Sequence, residues 1–522
     1  MRNKPSSTRG TGFAVPLKTI FAAMCMKNVP LLLALFTTAA IQAQDAPERE
    51  IIVTVSGAAK DTIYLANYYG NKLYYADTAV ADAKGKVVYK SPKGYKAGIY
   101  AVVIPGPKYF EVVVNEPVIE LLTDTADLLG NLVVKRSKEN QIFLDYIRYL
   151  NTQKKESDVL RAQLDANKDP IARNGVKARL EDIDKAVKSY QKDLVDNNPG
   201  TLAGALVKMG TNVELPEIRK PDGSLDSAAA YYQFRAHFWD NFDLKDERIV
   251  RVPVFANKFE EYIGKTVPQY PDTINKLADE LIERTDGKND VFKYLVNTIT
   301  HKYETSDIMG MDAVFVHMAL TYYCPDGSKP GRADWIPDDK LEKLCERARK
   351  QAPLVIGKKA PYLSLTDTTE QNWINYYDLP QEYVVVIFWD PHCGHCKKEL
   401  PEIAKIYKEQ MKAEGIEVFC VAKAVDDALM KDWKAFIREH DLDWVNVGLT
   451  KNVFEEAKKD PRKFIPKYTT IESLNYADAW DVYSTPKIFL VDGERKIRGK
   501  QLSAEQIVDL VKKLKERKAK DQ

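Results

Sequence analysis

An unbroken apolar run, "YVVVIFW" from Tyr383 to Trp389, stops at Asp390-Pro391 and is followed by two cysteines with a two-residue spacer, "CGHC", Cys393 to Cys396. A β-branched and aromatic run of this length reads as a strand buried on both faces. The residues after it, "CKKELPEIAKIYKEQMKAEG", carry the 3.6-residue period of a helix. The cysteines therefore sit at a strand-to-helix junction, and the chain around them must alternate strands with helices. It does so: "IEVFCVAK" reads as a strand, "DALMKDWKAFIREH" as a helix, "PKIFLVDGERKIRGK" as a hairpin turning at Asp492-Gly493, and "SAEQIVDLVKKLKER" as a last helix.

The spacing of the pair narrows its chemistry. A structural zinc site takes four ligands, commonly two such pairs, whereas Cys324, Cys345 and Cys420 stand apart from this one, so no metal is expected. A c-type haem needs histidine directly after the second cysteine, and Lys397 is there instead. The Pro and Thr that precede a peroxidatic cysteine are missing. A purely structural disulfide across two residues closes almost no loop and stabilises little. Redox exchange fits best. At the start of a helix, Cys393 would face unpaired N–H groups and the positive end of the helix dipole, which favour the thiolate. Cys396, one turn on and more enclosed, could then attack a mixed disulfide formed by Cys393. His395 between them, when protonated, would add positive charge beside the thiolate and so set the redox poise.

Phe388-Trp389, "CGHC", Pro401 and "STPKIFLVDG" with Thr485-Pro486 together resemble the thioredoxin superfamily, and within it the TlpA/ResA-like periplasmic thiol-disulfide oxidoreductases. The resemblance covers roughly the last third of the chain. It implies a Cys393-Cys396 redox-active disulfide, a cis bond at Pro486, and a substrate face built from Trp389, Thr485 and Pro486. It also implies protein thiol or disulfide substrates, a membrane electron donor and no cofactor. Thioredoxin itself carries a buried aspartate six residues before its first cysteine, and here that position is Ile387. Glu399 in "CKKELP" matches the glutamate of the TlpA/ResA type; three residues after Cys396, it is expected to take and return that thiol's proton. An exposed helix glutamate is the plainer reading of the same residue. Leu449 to Tyr476 is longer than a minimal thioredoxin needs and is expected to shape substrate access.

At 522 residues the chain exceeds a single core, and its composition is that of a soluble globular protein, 45% hydrophobic and 29% charged. The expected architecture is multidomain. Residues 1–43 read as a signal peptide with its start at Met24 or Met26, because Val29 to Ile41 falls short of the roughly 20 apolar residues of a spanning helix. Residues 48–136 alternate with period two and predict an antiparallel β-sandwich, whose Tyr64, Tyr68, Tyr69, Tyr74 and Tyr75 read as packing residues before they read as a sugar-stacking surface. Residues 137–352 predict an all-α middle domain, and residues 354–522 an α/β thioredoxin fold. The first two regions loosely resemble the uncharacterised domains that precede thioredoxin modules in secreted Bacteroidetes proteins. Cys345 reads as a packed core thiol, with pairing to Cys324 as the alternative, and Cys420 as an inert thiol in a strand.

Removing residues 1–43 takes away Arg2, Lys4, Arg9, Lys18 and Lys27 and no acidic residue, which turns a formal charge of +2 into -3. That balance speaks against a nucleic-acid partner. The expected function is a periplasmic disulfide reductase acting on envelope proteins. Two other readings stay open: an isomerase or oxidant, which Gly-His between the cysteines suggests, and an envelope-binding module carrying a vestigial thioredoxin unit.

Overall fold

The structure is a computed structural model that describes residues 47–106, 108–326 and 331–520. The expected signal peptide lies outside the described residues. Two compact units divide the chain: residues up to 268 together with 280–294, and residues 269–279 together with 295 onward.

In the first unit the period-two segments become eight strands: β1 (Glu50–Ser56), β2 (Thr62–Tyr69), β3 (Lys72–Val80), β4 (Lys86–Lys90), β5 (Gly98–Ile104), β6 (Lys108–Val114), β7 (Val118–Asp124) and β8 (Val133–Arg136). They form two four-stranded sheets, ordered β4-β1-β7-β8 and β3-β2-β5-β6. Alternate residues of both sheets, among them Ile51, Val53, Leu65, Val102 and Ile119, meet in one buried cluster. The expectation of a wholly antiparallel arrangement needs correction, because β1 and β7 pair in parallel from Glu50–Val118 to Ser56–Asp124. Alternation tells which face a residue occupies but carries no strand direction. Of the tyrosines expected to pack, Tyr68 is buried, whereas Tyr74 and Tyr75 are exposed on β3.

Helix Lys138–Ala166 follows, capped by Ser137, whose hydroxyl accepts from Asn140 N. The buried Asn140 side chain accepts from Val113 N at 2.9 Å and donates to Val113 O at 2.8 Å, tying the helix to β6. Helical elements continue to Leu354. The region expected as one domain over 137–352 is nevertheless shared between the two units. Helical periodicity records local structure and does not say which helices pack together.

The second unit holds a seven-stranded sheet ordered β10-β9-β13-β12-β11-β14-β15, built from β9 (Ser364–Thr366), β10 (Trp373–Asn375), β11 (Tyr383–Trp389), β12 (Ile416–Ala424), β13 (Val445–Thr450), β14 (Lys487–Val491) and β15 (Ile497–Lys500). Strands β11, β12 and β13 are parallel, and β14 and β15 add antiparallel beside β11. Every residue of β11 is buried. Val385, Ile387 and Trp389 enter one core with Cys396, Leu400, Trp433 and Ile507; Val384, Val386 and Phe388 enter the other with Tyr476, Trp480 and Phe489. The segment Leu449 to Tyr476, expected at the substrate entrance, supplies Val453 and Tyr476 to that second core and so covers a face of the sheet.

One default reading is overturned. Cys345 is not a free core thiol: it is bonded to Cys324, with 5.6 Å between the Cα atoms across 21 residues of sequence. Helical spacing places Cys345 on a buried face but cannot reveal what another segment brings opposite it.

Candidate active site

Strand β11 ends at Trp389, and an Asp390 turn delivers the chain into helix Gly394–Ile406. Asp390 Oδ1 accepts from His392 N at 2.8 Å, Asp390 O accepts from Cys393 N at 2.9 Å, and Lys423 Nζ pairs with the Asp390 carboxylate at 3.2 Å. Cys393 is thereby the cap residue of the helix, and its sulfur accepts from Cys396 N at 3.3 Å. The Cys393 thiol donates to Thr485 O at 3.2 Å. Thr485-Pro486 is a cis bond, and a second one joins Ile465 to Pro466. Pro401 lies inside the helix.

The two thiols differ sharply. Cys393 is partly exposed and Cys396 is 0% exposed. Partial burial pushes the Cys393 thiol up, but hydrogen bonds from the side chains of Cys396 and Thr485 and from the N–H groups of Cys396 and His395 outweigh it. Its pKa lies below the ordinary 9.0. Burial, reinforced by the hydrogen bond to Cys393, pushes the Cys396 thiol up to about 12. These environments favour the thiolate on Cys393 and the protonated thiol on Cys396.

The other predicted site residues fall in three different settings. Thr485 and Pro486 come to the cysteine pair from the start of β14, the strand beside β11. Trp389, expected to touch substrate, is 1% exposed and packs on Phe436 with ring centroids 5.0 Å apart, so it supports the site from beneath. His395 presents an exposed side chain, while its N–H contributes to holding the Cys393 thiolate. Glu399 points to solvent, and among the described residues no hydrogen bond joins it to the buried Cys396. Helices bury residues three and four apart on one stripe, and here Cys396 and Leu400 take the stripe, leaving Glu399 outside it.

Sequence reasoning passed over Asp390 and Lys423, although Asp-Pro ahead of the pair is a turn signal that marks Asp390. It also passed over the neighbouring His392–Asp432 pair, 2.9 Å apart. Ile387 is fully buried and pairs with Cys420 across the strands, so an apolar residue and a thiol stand where thioredoxin has its buried carboxylate. Desolvation, with the nearby Cys396 adding to it, raises the Cys420 thiol well above its ordinary range. Of the histidines upstream, His317 is bound to Asp279 at 2.8 Å and His237 to Asp240 at 2.7 Å. Among the described residues no group of three His, Cys, Asp or Glu is placed to hold a metal ion.

Residues 356–500 match the AhpC/TSA family. The C-terminal domain is thioredoxin-like. Residues 183–349 match a domain of unknown function, DUF5106. The thioredoxin-like domain is similar to two proteins named thiol-disulfide oxidoreductase ResA. That of Bacillus thuringiensis subsp. konkukian is 30% identical over 93 residues, covering 18% of this chain and 51% of the relative. That of Bacillus subtilis is 28% identical over 141 residues, covering 27% of this chain and 64% of the relative. The chain spans about half to two thirds of the length of these curated relatives. Among solved structures, the thioredoxin domain of a thiol-disulfide oxidoreductase from Bacteroides vulgatus is 26% identical, with a TM-score of 0.25, covering 31% of this chain and 97% of that one.

Proposed function

We propose that this chain is a thiol-disulfide oxidoreductase that reduces disulfides of envelope proteins. The observation that carries the reading is the division of labour in one dithiol: a partly exposed, low-pKa Cys393 at a helix start, backed by a buried Cys396 that holds its proton. In the first step the Cys393 thiolate attacks one sulfur of the substrate disulfide; a Cys393–substrate S–S bond forms, the substrate bond breaks, and the leaving thiolate takes up a proton. That step removes the Cys393 thiol from its hydrogen bond with Cys396, one of the two main causes holding the Cys396 proton. Cys396 then loses its proton and attacks the Cys393 sulfur, which releases the second substrate thiol and leaves a Cys393–Cys396 disulfide. Two electrons have passed to the substrate. A membrane electron donor would return them.

Thr485 O, which accepts from the Cys393 thiol, would then receive a backbone N–H of an extended substrate segment, a role its 3.2 Å distance from the sulfur supports. The Cys324–Cys345 disulfide favours an oxidising compartment, in keeping with the leader read at residues 1–43. Among the described residues no helix is long and apolar enough to cross a membrane. The two β-sheets of the first unit, with their common core, are read here as a sandwich domain that accompanies this activity.

The test is insulin reduction by the full chain with dithiothreitol as donor, followed by trapping with Cys396→Ser. Accumulated mixed disulfides on Cys393 support the reading; a Cys393→Ser protein that traps them while Cys396→Ser does not would reverse the roles. A second direction, isomerase or oxidant, draws support from the lowered Cys393 pKa, because stabilising the reduced form makes a dithiol less reducing. Equilibration of the pair against glutathione decides between the two.

A further inference from the structure

Resting on the oxidoreductase reading above, we propose that Tyr483 is a specificity-determining residue that receives an aromatic side chain flanking the substrate cysteine, and that Lys350 of the preceding helical segment is the positioning residue that holds it. Tyr483 is two residues ahead of Thr485, whose carbonyl lies 3.2 Å from the Cys393 sulfur. Two residues of extended chain span at most about 7 Å, so a segment lying on Cys393 and Thr485 passes within side-chain reach of Tyr483.

Tyr483 is 75% exposed, with Lys350 against one side of it. Lys350, in helix Asp338–Gln351, donates to the Tyr483 hydroxyl at 3.1 Å and places its ammonium 5.7 Å from the ring centroid. Lys350 is itself fixed by Asp478 at 2.6 Å and Glu346 at 3.0 Å. Below the loop, Asp481 is 5% exposed, has a left-handed backbone (φ 51°), and accepts from Lys487 Nζ through its carboxylate at 3.2 Å. The loop is thus tied down on either side of an outward-facing aromatic ring.

Rigid, exposed aromatic rings bind with little loss of conformational freedom, which is why such residues anchor recognition surfaces. The Lys350 ammonium beside the ring is already engaged by Asp478 and Glu346, so it is not a free positive charge for an acidic segment. What the ring offers is a π-face, and aromatic neighbours are the side chains that gain most from one.

The experiment uses the full chain and two synthetic peptides, each closed by one disulfide and identical except for Phe or Ser after the first cysteine. The parent is expected to show a lower KM for the Phe peptide at similar kcat. Tyr483→Ala should raise KM for the Phe peptide roughly tenfold, leave the Ser peptide unchanged, and leave kcat unchanged for both. Tyr483→Phe, which keeps the ring and loses the hydroxyl contact, should retain the preference; Lys350→Met should lose part of it. Equal KM changes for both peptides in Tyr483→Ala, or none for either, overturn the proposal while leaving the oxidoreductase reading intact. A parent that reduces neither peptide defeats that reading and this inference with it.

Discussion

The chain carries two cysteine pairs in its second unit, and they differ in almost every physical respect. Cys324 and Cys345 are both buried, lie 21 residues apart, and are bonded to each other. Cys393 and Cys396 are one helical turn apart, unbonded, and split between a partly exposed and a wholly buried position. Closing a loop of that length removes enough unfolded-state freedom for the first pair to contribute about 3 kcal/mol, whereas a two-residue spacer removes almost none. Stability is thus the work open to one pair and exchange the work open to the other. The lesson is that a cysteine's job is set by the loop it closes and by the groups facing its sulfur.

The largest expected effect separates the pairs outright. Cys393→Ser should lower disulfide reduction by roughly three orders of magnitude or more with little change in Tm, since the nucleophile is lost and a partly exposed sulfur is replaced by oxygen. The replacement of both Cys324 and Cys345 by Ala should do the reverse: a loss of about 3 kcal/mol, seen as a fall in Tm, with turnover at 25 °C kept. A double variant that lost turnover while keeping its Tm would break the comparison.

A smaller effect is expected at the spacer. In His395→Pro the N–H that helps hold the Cys393 thiolate is gone, so the Cys393 pKa should rise toward 9.0, and the dithiol should become more reducing by tens of millivolts, about 30 mV for each 1.4 kcal/mol. His395→Gln keeps the N–H and should stay near the parent; a Gln variant that shifts as far as the Pro variant would give the effect to the imidazole instead. Alkylation of the reduced protein against pH reads both. The same titration bears on stability with opposite signs. Cys393, displaced downward, contributes stability that is present above pH 9 and lost as pH falls through its lowered value. Cys396, displaced upward, contributes stability that is whole below pH 9 and lost as pH rises toward about 12.

The smallest effect is expected at Glu399. Its exposed position predicts that Glu399→Gln changes the rate of mixed-disulfide resolution by less than about twofold between pH 6 and 9, within the range of ordinary surface substitutions. A strong slowing confined to that step would restore Glu399 as the proton carrier.

What the sequence made legible was what depends on local pattern. The run Tyr383–Trp389 is a strand buried on both faces, Cys393 is at a helix start, and Asp492-Gly493 lies in the turn between β14 and β15. What stayed hidden depends on partners distant in sequence. Nothing near Glu50 announces a parallel neighbour at Val118, and nothing near Cys345 announces Cys324. The burial of Trp389 and the exposure of Glu399 were hidden for a related reason: a motif gives a residue's position along the chain, while its exposure is decided by how neighbouring elements fill the stripe beside it, as Phe436 and Leu400 do here.

The parallel pairing of β1 with β7 has a kinetic side. β1 lies between β4 and β7 in its sheet, so the first strand of the described chain is completed only by the seventh. Five intervening strands must be present before its second edge is covered, and closing so long a loop is slow because its entropy is spent before the contact rewards it. During that interval Ile51, Val53 and Val55 stand on an uncovered strand, the state in which edges join other chains. The β4-β1-β7-β8 sheet therefore keeps an edge of β1 open until β7 has been added. Shortening the wait by circular permutation, with β7 placed directly ahead of β1, should raise the yield of refolding without altering the dithiol.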